Sequence, residues 1–295
     1  LINNVAQFKA IDNCGYSGAY YVQTNDLALS DFQGIGTSDR PFKGYYDGDG
    51  YEIDLDNSVG FDHGGAGLFN YVGSSSGSGS ATAGIRNVWL WGHASAYGQS
   101  NVGLLAGQMQ HAFMQNIHVG GDLAGDVFHM GGVVGEADNV DALNVYSQVN
   151  LISQPSGTAE GLGGVFGYVQ GDTSNLFKQI NYSGTIRVEG NVLFAGGIAG
   201  YVDSMLIRQS LSQGTLTVDN GGQKIGGLVG ISYNTEYTDN WSSMTMDSFR
   251  VEAVGGLIGE SNEDLVARAF ASGSLVGSNY VGGLVGKSNY STIHD

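Results

Sequence analysis

The sequence predicts an all-β protein, a right-handed parallel β-helix of about eight coils, each of roughly 30 residues and three short strands. Three observations predict it. Glycine supplies 50 of 295 residues while proline occurs only twice, a balance that favours many tight turns over collagen or a disordered linker. A glycine-bracketed apolar motif recurs at a nearly constant step. Between its copies apolar and polar residues alternate with a period of two, and no stretch keeps helical spacing.

The motif reads Gly103-Leu-Leu-Ala-Gly107, Gly131-Gly-Val-Val-Gly135, Gly163-Gly-Val-Phe-Gly167, Gly196-Gly-Ile-Ala-Gly200, Gly226-Gly-Leu-Val-Gly230, Gly255-Gly-Leu-Ile-Gly259 and Gly282-Gly-Leu-Val-Gly286. Its closing glycines are 28, 32, 33, 30, 29 and 27 residues apart. Such a step is too short for a domain and suits one solenoid coil. A looser copy, Gly67-Leu-Phe-Asn70, begins the series, so residues 1–66 form an amino-terminal cap or edge segment and 67–295 the repeats.

A single coil cannot bury its own apolar side, whereas stacked coils bring equivalent residues about 4.8 Å apart in ladders. The interior ladder expected here is Leu68, Leu104, Val133, Val165, Ile198, Leu228, Leu257 and Leu284. In Gly184-Thr-Ile-Arg-Val188 and Gly214-Thr-Leu-Thr-Val218 the alternation turns Ile186, Val188, Leu216 and Val218 to the same lumen. The bracketing glycines are expected to supply corner dihedrals that β-branched residues resist.

Charged residues make up 13% of the chain, about half the ordinary share, and the formal net charge is -17. A neutral polar surface suits an extracellular or cell-surface location. The acidic balance, with no run of Lys or Arg, argues against nucleic acid and anionic membranes as partners. Cys14 is the only cysteine, which excludes an intramolecular disulfide. The start Leu1-Ile2-Asn3-Asn4 carries neither a basic nor a long apolar run and reads as the beginning of a mature segment, with no membrane insertion expected.

The motifs resemble the GLUG-motif repeats of large bacterial surface and secreted proteins, including adhesin-like proteins and non-catalytic regions of some immunoglobulin A peptidases. Val266-Ala-Arg-Ala-Phe-Ala-Ser-Gly-Ser-Leu-Val-Gly277 followed by Tyr280-Val-Gly-Gly-Leu-Val-Gly286 is similar to that repeat nearly letter for letter. Tyr20-Tyr-Val-Gln-Thr-Asn-Asp-Leu-Ala-Leu-Ser30 and Pro41-Phe-Lys-Gly-Tyr-Tyr-Asp-Gly-Asp-Gly50 resemble the segment that commonly precedes the repeats. The resemblance implies a β-solenoid on the outside of a bacterium, structural or adhesive, with no catalytic residues in its motif. Two departures, Asn70 for a closing glycine and Met244-Thr-Met-Asp247 for a Ser-Gly turn, put local register in question.

The rival reading is a glycan-binding or polysaccharide-degrading β-helix. Hydrolysis by two carboxylates needs a pair about 5 to 9.5 Å apart, hence acids one or two coils apart in one ladder. The residues after the closing position are Tyr71, Gln108, Glu136, Tyr168, Tyr201, Ile231, Glu260 and Lys287, with no adjacent acid pair. Glu136, Asp138 and Asp141 form the densest acidic patch beside a motif and read as solvated loop carboxylates.

The histidines at 63, 93, 111, 118, 129 and 294 include no HExxH and read as surface or structural residues. Asp47-Gly-Asp-Gly50 with Asp54 and Asp56 raises calcium, yet the spacing is not that of an EF-hand, and no cofactor is expected.

Trp89 and Trp91, two apart on a strand, should share one face, and Tyr168 should stack on Tyr201 as an outer aromatic ladder. These four are the expected contacts for a glycan or protein partner, because flat aromatic strips stack on sugar rings. After Gly286 no polar, proline-bearing or helical cap follows. The carboxy-terminal coil is therefore expected to be an open edge that pairs with β-structure, of a longer chain or of a neighbouring subunit.

Overall fold

A computed structural model describes residues 1–14, 18–61, 65–74, 83–98 and 100–294, the side chains of 13, 14 and 57–61 aside. The Cys14 side chain and His63 thus lie outside the described residues. The chain is a right-handed parallel β-helix of about eight turns. Its eight-stranded sheet takes one strand from each coil, from Gly65–Ala66 through Asn191–Gly196 to Tyr280–Gly282. A second sheet of 22 strands wraps the remaining faces.

The interior ladder stacks as expected over most of its length. Ile198 N donates to Leu228 O, Leu228 N to Leu257 O and Leu257 N to Leu284 O, each at 2.8 Å. One member differs. Val134 pairs with Ala106, so Leu105 rather than Leu104 continues the row from Val133. Leu104 occupies the place of the second motif glycine, and its side chain packs over Gly92. In the other copies the sizes are reversed: Gly164 faces Tyr182, Gly197 faces Ser212 and Gly256 faces Ala271. Leu104 over Gly92 and Gly164 against Tyr182 pair large with small across the lumen, as close packing requires.

The glycines do not act as expected. No motif glycine from Gly103 to Gly286 has a left-handed φ. Their necessity is steric: a Cβ on Gly163, Gly226 or Gly255 would land on the carbonyl oxygen three residues ahead. The left-handed corners belong instead to polar residues in two ladders. Asn139, Ser204, Asn234 and Glu263 have φ of 51, 58, 47 and 56° at one corner. Asn87, Asn116, Asn144, Gln179, Gln209 and Asp239 hold the other at 53 to 59°. Asparagine tolerates this region through local hydrogen bonding. Here its side chain also links coils, since Asn144 Nδ2 donates to Asn116 Oδ1 and Asn116 Nδ2 to Asn87 Oδ1, both at 3.0 Å. These corners divide a coil more finely than three strands, as in Asn191–Gly196, Ala199–Asp203, Leu206–Arg208 and Leu211–Val218.

Neither sequence departure disturbs the register. Trp241–Asp247 pairs residue by residue with Leu211–Thr217, Met244 opposite Gly214. Asn70 donates from Nδ2 to Gln33 O at 2.7 Å and so ties the first coil to the preceding segment.

The two ends are unlike. Helix Val5–Ala10 is capped by Asn4, whose side chain accepts from Gln7 N, and inserts Phe8 among Phe32, Tyr46 and Phe69 at 5.6, 5.6 and 6.2 Å between ring centres. Strands Tyr20–Val22 and Leu27–Ser30 then join the parallel ladders through Tyr45–Asp47 and Glu52–Phe61. At the other end Val281 is 49% and Ile293 44% exposed, whereas their partners one coil back, Val254 and Val266, are fully buried.

Candidate functional site

Strand Ala83–Tyr97 leaves the left-handed corner at Asn87 and alternates strictly, with Val88, Leu90 and Ala94 in the core and Trp89, Trp91 and His93 outside. The next coils repeat the arrangement. Trp89 registers with His118 and His118 with Tyr146, while Trp91 registers with Gly120 and Gly120 with Gln148. On the amino-terminal side Glu52 pairs with Trp89 and Asp54 with Trp91. Both tryptophans therefore share one outer face, as expected, and remain 52% and 46% exposed.

The rings form a cleft of about 420 Å³. One wall is the row Trp89, His118 and Tyr146. The indole of Trp89 stacks on the imidazole of His118 at 4.6 Å and 18°, and Tyr146 meets His118 edge-on at 5.9 Å. Opposite this wall, the six-membered ring of Trp91 lies directly across Gly120, where a Cβ would clash with it. Leu90, Val119 and Gly120 form the floor, and Gln148 and Glu52 supply polar groups. Desolvation by burial holds the His118 imidazole below its ordinary pKa, favouring the neutral form.

Beyond Trp91 the surface turns polar. His93 Nδ1 lies 2.9 Å from Asp122 Oδ2, and Asn150 Nδ2 donates to Asp122 Oδ1 at 3.0 Å. Hydroxyl, amide and carboxylate groups thus border a half-open aromatic trough, an arrangement able to stack a ring and hydrogen-bond its edge.

Tyr168 and Tyr201 do stack, with ring centres 4.2 Å apart and planes within 2°, but neither lines the cleft. They line an inside corner where outward residues of the two sheets meet. His129 stacks on Tyr168 at 4.6 Å, and Lys224, paired to Glu252 and Glu260 at 2.6 and 3.0 Å, fills the same corner farther along. Burial raises both tyrosine hydroxyls above their ordinary pKa.

The acidic patch is dispersed. Glu136 sits in this corner, accepting from Asn101 Nδ2 at 2.6 Å and Gln108 Nε2 at 3.1 Å. Its carboxyl is held below the ordinary range first by the neighbouring His129 ring, whose Nδ1 is 3.7 Å away, and then by the Asn101 and Gln108 donors. Asp138 accepts from Asn139 Nδ2 at 2.7 Å. Asp141, past the corner, accepts from the Leu176 backbone N–H at 2.9 Å.

Asp47, raised for calcium, is bound to Arg86 at 2.8 Å and accepts from Asn87 at 2.9 Å. Asp54 and Asp56 are on the neighbouring strand beside the cleft. Among the described residues no group of three or more His, Cys, Asp or Glu is arranged to hold a metal ion.

Sequence reasoning missed His118, Tyr146, Gly120 and Glu52. The signal was present: Trp89, His118 and Tyr146 each follow a corner asparagine by two residues, and Trp91, Gly120 and Gln148 follow by four.

No family model matches the chain. Halomucin from Haloquadratum walsbyi is 29% identical over 172 residues, which are 54% of this chain and 2% of that protein, so the chain spans about 2% of the length of the curated relative it matches. Among solved structures, the crystal structure of a candidate immunoglobulin A1 protease from Bacteroides ovatus superposes with a TM-score of 0.51 at 17% identity, covering 95% of this chain and 84% of that chain. That likeness is one of fold. No helix among the described residues is long and apolar enough to cross a membrane.

Proposed function

We propose that this chain is a non-catalytic, extracellular β-solenoid of the GLUG-repeat type that adheres to glycans through the cleft of Trp89, Trp91, His118 and Tyr146. The observation that carries the reading is the pair of half-exposed indoles held by three successive coils over a glycine floor. Exposed aromatic area of this kind stabilises nothing in the core and is suited to stacking on a flat, partly apolar ring. The halomucin match supports a surface or secreted location. The polysaccharide-degrading alternative finds less support, because Glu136 and Asp141 are already engaged by structural donors. No cofactor enters this reading.

A second part of the reading concerns the carboxy-terminal coil. Its half-exposed Val281 and Ile293 support pairing with further β-structure, from a longer chain or a neighbouring subunit. Calorimetric titration with a panel of soluble oligosaccharides tests the adhesive role. At least one should bind, and Trp91→Ala should weaken it about tenfold. Release of reducing ends from any of them would instead establish an enzyme.

A further inference from the structure

We infer that the glycan recognised by the cleft carries free amino groups, an inference that rests on the glycan-binding reading above. The carboxylate of Glu52 is the one acid that lines the cleft with His118 and Tyr146, and Asp54 adds a second beside it. The lining residues include no lysine or arginine. Asp54 stands in register with Trp91, one coil away, and both Glu52 and Asp54 are exposed. Neither side chain has a hydrogen bond or ion pair among the described residues.

These free carboxylates differ from Asp122, which His93 and Asn150 already engage. They differ also from the acids elsewhere that pair with a cation, such as Asp47 with Arg86 and Asp239 with Arg268. Unpaired negative charge beside exposed indoles attracts an ammonium twice over, by direct Coulomb attraction and through the negative faces of the rings. It repels uronates and sulfated sugars by the same rule. A hexosamine polymer with free amines meets both demands, its ring stacking on Trp91 while its ammonium approaches Glu52 or Asp54.

The test compares three probes by titration calorimetry at low salt: an oligomer of glucosamine, its N-acetylated counterpart and an oligomer of galacturonate. The amine oligomer should bind about tenfold more tightly than the N-acetylated one, and raised salt should shrink that advantage. The double substitution Glu52→Gln with Asp54→Asn should bring the two to equal affinity, its fold checked by circular dichroism. The galacturonate oligomer should not bind. Equal binding of amine and N-acetyl oligomers, or stronger binding of galacturonate, would overturn the inference and leave the glycan-binding reading intact. Binding of a lysine-rich peptide with no binding of any oligosaccharide would overturn both.

Discussion

The indole of Trp91 lies across Gly120 of the following coil so closely that a methyl group at position 120 would enter the ring. The cleft is therefore built by a residue with no side chain as much as by the aromatic ones. Gly120→Ala should push Trp91 off its seat, weakening oligosaccharide binding about tenfold, the order of one lost stacking contact. Its thermal midpoint should change far less than its affinity. Calorimetric titration alongside a melting curve separates the two, and unchanged binding would mean that Trp91 is not the platform.

Leu257 is fully buried between Leu228 and Leu284, whereas Leu284 itself is only partly buried. Leu257→Ala should cost about 2–5 kcal/mol, and Leu284→Ala clearly less, because the last coil leaves its cavity open to solvent. Urea denaturation of the two variants checks the order. Similar losses would show that the final coil is packed as tightly as the interior.

Asp264 is a carboxyl inside the solenoid, accepting from Thr235 N at 2.9 Å and Ser261 Oγ at 2.7 Å. Burial raises its pKa from 3.8 to about 6. The sign follows from linkage: the protonated form is favoured in the folded state, so its contribution is full below the unfolded value and is lost as pH rises through about 6. Asp264→Asn keeps the acceptor for Thr235 and removes the buried charge. It should stabilise the protein by about 3 kcal/mol at pH 8 and by little at pH 4, measured by denaturation at both values. An equal effect at the two pH values would place the cause in packing instead.

Val281 and Ile293 are half exposed on the carboxy-terminal coil, where a further coil would cover them. Fusing an extra copy of the in-phase coil 240–268 after position 295 should raise the thermal midpoint, as each added coil buries the one before it. Val281→Lys with Ile293→Lys should abolish any concentration-dependent association seen by sedimentation. A chain that neither associates nor gains stability from the added repeat would overturn the pairing proposed for this coil.

Much of this architecture is legible in the residues. The glycine-bracketed motif placed Leu228, Leu257 and Leu284 in one row, and the residue after each closing glycine forms a continuous outer ladder from Tyr71 to Lys287. What misled was the assumption that glycine marks a left-handed turn. Here it marks close approach of backbone to backbone, while Asn116 and Asn144 make the turns. Leu104 was misplaced for a related reason, since equal spacing of glycines says nothing about which wall a large side chain fills.

The coil, its repeat length and the two-residue alternation that sends Trp89 and Trp91 to the same side follow from the residues alone, because periodicity along a strand is a local property. What lies beside them depends on how the coils stack. His118 and Tyr146 are 29 and 57 residues from Trp89 in the chain, yet parallel stacking sets them in the next two coils about 4.8 Å apart. The same stacking left Glu136 half-buried and engaged by Asn101 and Gln108 beside His129, while Glu52 stayed free at the edge of the cleft. A carboxylate's neighbours come from other coils, and the register between coils is fixed by packing in the lumen rather than by the charged residue's own surroundings in the chain.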